Sequence, residues 1–91
     1  MRSYEAVFVF RPGEASVAEG KRFTKQEMEN AGFVIKGESD MGERELAYTV
    51  QKETKGHYYL YQVDCPPERV GSLDGNFRLR PEILKFLFTR T

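Results

Sequence analysis

Apolar and polar residues alternate with period two through the middle of the chain, and that alternation sets a hairpin. Residues Arg44–Cys65, RELAYTVQKETKGHYYLYQVDC, hold two strand-like runs, LAYTV and HYYLYQV, joined by the turn-forming and strand-breaking stretch Gln51–Gly56. In the second run Tyr59, Tyr61, Val63 and Cys65 fall on one face, all apolar or aromatic; Tyr58, Leu60, Gln62 and Asp64 fall on the other. Strand side chains point alternately to the two sides of a sheet, so the first set is the expected core face. The same phase turns Leu46, Tyr48 and Val50 inward and Glu45, Ala47 and Thr49 outward.

The flanking segments complete the element list. Arg2–Phe10 reads as a central strand, with Tyr4, Ala6, Phe8 and Phe10 on one face and Glu5, Val7 and Val9 on the other. Arg11-Pro12-Gly13 ends it by turn chemistry. Glu14–Ala31 is helical, with Ser16 and Glu19 at capping-box spacing and a stripe of Val17, Phe23, Thr24, Met28 and Ala31. Gly20 weakens this helix, and Asn30 and Gly32 stop it. Phe33–Val50 is a long strand that Gly37 and Gly42 interrupt. Pro66-Pro67-Glu68 opens a second helix, with core positions Val70, Leu73 and Phe77 and with Gly71 and Gly75 against it. Ile83–Thr89 is the last strand, Phe86 and Phe88 inward, Lys85, Leu87 and Thr89 outward.

The order β-α-β-β-α-β is that of a ferredoxin-like α+β sandwich. The expectation is a single domain over residues 1–91, with two helices on one face of a four-stranded antiparallel sheet. The other face would carry Val7, Val9, Tyr58, Leu60 and Leu87, a set apolar enough to suggest a surface that binds a partner protein.

Composition narrows the function. Fourteen basic and fourteen acidic residues cancel, so no global field draws in a polyanion. A role on nucleic acid has to come from local clusters or beside a basic partner. A lone cysteine forms no internal disulfide and no cysteine-rich metal site, which suits a reducing cytoplasm. No export signal or membrane-spanning run is expected.

No catalytic constellation emerges. His57, the only histidine, has no partner at metal or acid–base spacing and reads as structural or solvated. Cys65 reads as a small buried hydrophobe, and the acidic residues Glu38–Glu45 as a solvated arm. No metal, cofactor or small-molecule substrate is expected.

Lys55-Gly56-His57-Tyr58-Tyr59-Leu60-Tyr61 partly matches the octapeptide of RNA-recognition motifs. That motif needs Tyr59 on the open face to stack bases, whereas the alternation sends it inward. A free-standing single-stranded-RNA module therefore stands as a second reading. A dimeric ferredoxin-like enzyme or sensor with His57 between subunits is a third. Arg2, Arg44, Lys52, Lys55, Arg78, Arg80, Lys85 and Arg90 are the candidate phosphate contacts, with Arg2 and Arg90 brought together by antiparallel first and last strands.

The segments RSYE, RELAYTVQK, KGHYYLYQVDCPPERV and FRLRPEILKFLFTR together resemble the family of the sixth protein of the bacterial small ribosomal subunit, nearly end to end. The resemblance implies the same sandwich, no enzyme activity, and a cytoplasmic, ribosome-bound protein. It implies contact with ribosomal RNA in the central domain of the subunit, alongside the eighteenth small-subunit protein. The chain departs from the family pattern at Glu45 (commonly basic), Thr49 (usually proline), and Gly20 and Thr24 (usually larger), and it has no counterpart to the charged C-terminal tail of many members.

Overall fold

A computed structural model describes residues 1–91. Strand β1 (Arg2–Phe10) leads into helix α1 (Glu14–Asn30), followed by β2 (Val34–Val50) and β3 (Glu53–Cys65). A helical stretch then runs as α2 (Pro67–Val70), a 3-10 turn (Gly71–Leu73) and α3 (Asp74–Arg78), and β4 (Ile83–Arg90) closes the chain. The strands form one antiparallel sheet in the order β2-β3-β1-β4, so β1 and β3 are central. This is the expected ferredoxin-like sandwich. Only inner strands can be apolar on both faces without exposing large apolar area, and β1 and β3 are the two richest in such residues.

The core lies between the helices and one sheet face. Phe8 and Tyr61 are fully buried at its centre, with Phe77 edge-on to Phe8 at 5.1 Å between ring centres. Tyr59 and Tyr61 are 8% and 0% exposed, as the alternation requires. The Tyr61 hydroxyl pairs with Thr24 Oγ1 at 3.0 Å, so the polar residue on the buried helix stripe is satisfied.

Several local expectations give way. Ser16 is not the helix cap: Gly13 takes that position with no side-chain hydrogen bond, and Ser16 lies within the first turns. Gly20 is not a mere weakness, since a Cβ there would lie 2.6 Å from a ring carbon of Phe10. The strand's last ring and the helix approach so closely that only hydrogen fits. Phe23 and Ala31 sit at the margin of the core, while Val17, Gly20, Thr24 and Met28 form its buried helix stripe.

The second helix is broken in three, as Gly71 and Gly75 foreshadow, and Leu73 and Phe77 hold it to the core by burial. The hairpin turn is tighter than the sequence suggests. Val50 pairs with Glu53, leaving only Gln51 and Lys52 in the turn, with φ of 48° and 67°. Primed two-residue turns need such angles and are usually marked by Asn-Gly, a signal this chain lacks.

Strand β2 is bulged three times, between Ile35 and Gly37, between Asp40 and Gly42 (φ 82°), and between Glu45 and Val50. The third irregularity takes four residues of β2 against one of β3. Period-two counting fails across it. Tyr48, expected inward, is 64% exposed, and Leu46 lies instead against Gly56 on the sheet face opposite the helices.

Candidate binding face

The pairing registers lay out the helix-free face row by row. Across β3, β1 and β4 the first row reads Tyr58–Val9–Lys85, the second Leu60–Val7–Leu87, and the third Gln62–Glu5–Thr89. The face therefore grades from aromatic and cationic, through apolar, to polar. Leu87 is 64% exposed, and Val7, Leu60 and Tyr58 are half-buried. Aliphatic side chains in one band across three strands, with no element laid over them, form a surface that apolar contact would fit.

Val9 is the exception among the five residues expected on that face. It is 5% exposed because the far end of the β2–β3 hairpin curls over it. Gly56 makes the crossing possible: a Cβ there would stand 2.3 Å from Val9 Cγ1 and 3.4 Å from Leu46 Cδ2. The glycine that looked like part of an RNA-recognition octapeptide is thus a packing requirement. Val9 therefore lies beneath that cover and outside the accessible surface of the face.

Two aromatic–cation pairs flank the first row. The Lys85 ammonium lies 4.6 Å from the centre of the Tyr48 ring and donates to its hydroxyl at 2.9 Å. That hydrogen bond raises the lysine pKa and lowers the tyrosine's. The Arg44 guanidinium sits 6.0 Å over the half-buried Tyr58 ring. Arg11, which the alternation did not single out, pins the hairpin tip. Its Nη1 meets Glu53 at 2.6 Å, its Nη2 donates to Gln51 at 3.1 Å, and its Nε donates to the Pro81 carbonyl at 3.1 Å.

The eight basic residues singled out from the sequence do not form one patch. Arg2 and Arg90 lie at one end of the sheet, where Arg90 pairs with Tyr4, two residues from Arg2. Arg44, Lys52, Lys55, Arg78, Arg80 and Lys85 lie towards the other, about 26 Å away along a nine-residue strand. Their states differ. Arg78 is paired with Asp74, and Arg80 with Glu82 at 3.0 Å and Glu19 at 3.5 Å while stacking 4.2 Å over Phe23. Arg2, Arg44, Lys52, Lys55 and Arg90 carry no ion pair and are exposed. A charge without an internal partner is the one most available to phosphate.

The remaining polar groups serve the fold. His57 Nε2 and Asp40 Oδ1 are 2.6 Å apart. Asp40's carboxyl is held below its usual range, first by the Gly42 N–H and then by His57. Glu38 accepts from the Tyr59 hydroxyl at 2.8 Å and from Lys25 at 3.0 Å, so the acidic stretch is a strand braced to the sheet and α1, not a loose arm. Burial pushes the Tyr61 phenol up to about 12 and raises the Cys65 thiol. No cluster of His, Cys, Asp and Glu is placed to hold a metal, and no helix is long and apolar enough to cross a membrane. With Tyr59 and Tyr61 packed under the helices, the stacking geometry of an RNA-recognition octapeptide is absent.

Comparison with known proteins converges on one group. The family model described as ribosomal protein S6 matches residues 3–90. The small ribosomal subunit protein bS6 of Treponema pallidum (strain Nichols) is 39% identical over 90 residues, covering 99% of this chain and 97% of that protein. Its counterpart in Treponema denticola is 36% identical with the same coverage. Among solved structures, the 30S ribosomal protein S6 of Thermotoga maritima superposes with a TM-score of 0.82 at 27% identity, over 99% of this chain and 87% of that one. The C-terminal domain of the MgtC protein from Mycobacterium tuberculosis shares the fold at a TM-score of 0.67 and 11% identity, over 100% of this chain and 88% of that one.

Proposed function

The chain belongs to the ribosomal protein S6 family, and from that premise we propose that it joins the small subunit as one half of a protein pair that binds ribosomal RNA. Membership makes it a structural, non-enzymatic constituent of the ribosome. The finer reading concerns how it is held there. The exposed band Leu60–Val7–Leu87, with Tyr58 at its margin, receives a neighbouring protein, which on the family resemblance we take to be the eighteenth small-subunit protein. The RNA partner is the central domain of small-subunit ribosomal RNA. The unpaired cations Arg2 and Arg90 at one end of the sheet, and Arg44, Lys52 and Lys55 at the other, contact its phosphates, with Arg78, Arg80 and Lys85 at the margin.

One observation carries this reading: a helix-free sheet face with Leu87 64% exposed, on a chain of zero formal net charge. Such a chain lacks the field for strong solitary binding to RNA, and it offers apolar area that a protein can cover. A basic protein seated on the band would supply the missing field and extend the contact to phosphate. Co-sedimentation tests it. The chain is expected in the small-subunit fraction and in assembly intermediates that already hold the eighteenth protein, and absent from intermediates that lack it. Its presence in both kinds of intermediate would overturn the pairing.

A further inference from the structure

We propose that Tyr48, with Lys85 bonded to its hydroxyl, is a stacking seat for an unpaired base of RNA. This rests on the reading of the chain as an RNA-binding protein and adds the kind of nucleotide it takes. Tyr48 is the most exposed aromatic side chain in the molecule, at 64%. Lys85 tethers its hydroxyl at 2.9 Å, with the ammonium 4.6 Å from the ring centre and beyond the oxygen, so the lysine leaves the ring itself uncovered.

The backbone on either side of the ring is anchored as well. Leu46, two residues earlier, packs on Gly56 and Val9, and Arg11 anchors the turn at Gln51 and Glu53. A preorganised aromatic plane loses little freedom when a base lies on it. Lys85 spends one N–H on the Tyr48 hydroxyl and keeps two for a phosphate of the stacked nucleotide. Lys52, four residues along at the turn, is exposed and unpaired.

Tyr58 makes the contrast. Its ring is half-buried and already lies beneath Arg44, so it offers a base less open surface than Tyr48 does. An exposed tyrosine also suits a protein contact. Nucleic acid is favoured at Tyr48 because a lysine is bonded to it and the unpaired Lys52 follows four residues along, whereas the aliphatic residues that fit a protein lie one row further along the face.

The test uses this chain, the eighteenth small-subunit protein and a central-domain fragment of small-subunit ribosomal RNA. Affinity for the RNA fragment is measured over a range of salt, and affinity between the two proteins is measured without RNA. Tyr48→Phe, which keeps the ring, is expected to bind RNA within about threefold of the parent. Tyr48→Leu is expected to lose about 5- to 160-fold in RNA affinity, the range for one stacked base. Its dependence of log affinity on log salt stays parallel to the parent's, while Lys52→Gln makes that slope shallower by about 1. Affinity between the proteins should move less than twofold in Tyr48→Leu. RNA affinity within twofold of the parent in Tyr48→Leu overturns the seat and leaves RNA binding standing. An equal loss in the RNA-free protein pairing assigns Tyr48 to the protein contact and also overturns it. Failure of the parent pair to bind the RNA at all removes both this seat and the reading beneath it.

Discussion

Replacing Gly56 by alanine probes the crossing of the hairpin over the sheet with a single methyl group. The added Cβ would stand 2.3 Å from Val9 Cγ1, where a relaxed contact is about 3.8 Å, so roughly 1.5 Å must be found. Neither neighbour gives way freely. Val9 is 5% exposed on a strand paired on both sides, and the Phe10 carbonyl lies 3.6 Å from the same point. Inserting volume into such packing costs about 1–3 kcal/mol. Against this stands a gain of about 0.5–1 kcal/mol from removing glycine from a strand. The net expectation is a loss of about 1–2 kcal/mol, seen as a lower urea midpoint at unchanged slope. Val9→Ala alone removes two buried methyl groups and costs about 2 kcal/mol. In the double variant the new methyl occupies the vacated space, so the combined cost falls short of the sum by at least about 1 kcal/mol. A Gly56→Ala protein as stable as the parent, or strictly additive costs, would refute the crossing.

Three further outcomes follow from named contacts. Tyr59→Phe removes the strongest influence holding the Glu38 carboxyl below its usual range, ahead of Lys25. A lowered carboxylate contributes stability above its unfolded pKa of about 4.3 and loses it as pH falls through the folded value, so this variant should show a flatter decline of stability between about pH 5 and pH 3. Arg11→Ala frees the turn from Glu53, Gln51 and the Pro81 carbonyl; it should cost on the order of 1 kcal/mol and speed amide exchange at residues 51–54 ahead of the rest of the sheet. Leu87→Asp places a charge in the exposed band: binding of the eighteenth protein should weaken at least about tenfold, with folding stability changed by less than about 0.5 kcal/mol.

The parts of the fold that could be read from the sequence are those where one physical rule acts alone. Strand phase follows from alternation, so the burial of Tyr59, Tyr61, Val63 and Cys65 was legible. So was the inward turn of Phe86 and Phe88, which pack on the core. The failures cluster where a second constraint intervenes. The shift of register between Glu45 and Val50 reverses the phase of Leu46 and Tyr48, and no residue in that run marks a bulge. The turn at Gln51 and Lys52 adopts left-handed angles without the residues that favour them, held by Arg11 from a distant element. Ser16 offered a cap by spacing, yet Gly13 ends the loop three residues earlier, and the helix starts there.

The candidate interface was legible in kind more than in layout. Apolar residues facing away from the helices could be counted from the alternation, and Val7, Tyr58, Leu60 and Leu87 lie on that face with some surface accessible. Val9 could not be distinguished from them, because its cover comes from a hairpin arm whose path depends on the bulge and on Gly56. The cations were visible as residues, but their partners were not. Pairing of Arg80 with Glu19 spans two elements, and only the fold separates it from the unpaired Arg44, Lys52 and Lys55.

The most direct measurement is a calorimetric titration of a central-domain ribosomal RNA fragment with this chain, alone and after mixing with the eighteenth small-subunit protein. A neutral chain that needs a neighbour on its bare sheet face should bind weakly by itself, and at least about tenfold more tightly as a pair. Equal affinity in the two titrations would contradict the account.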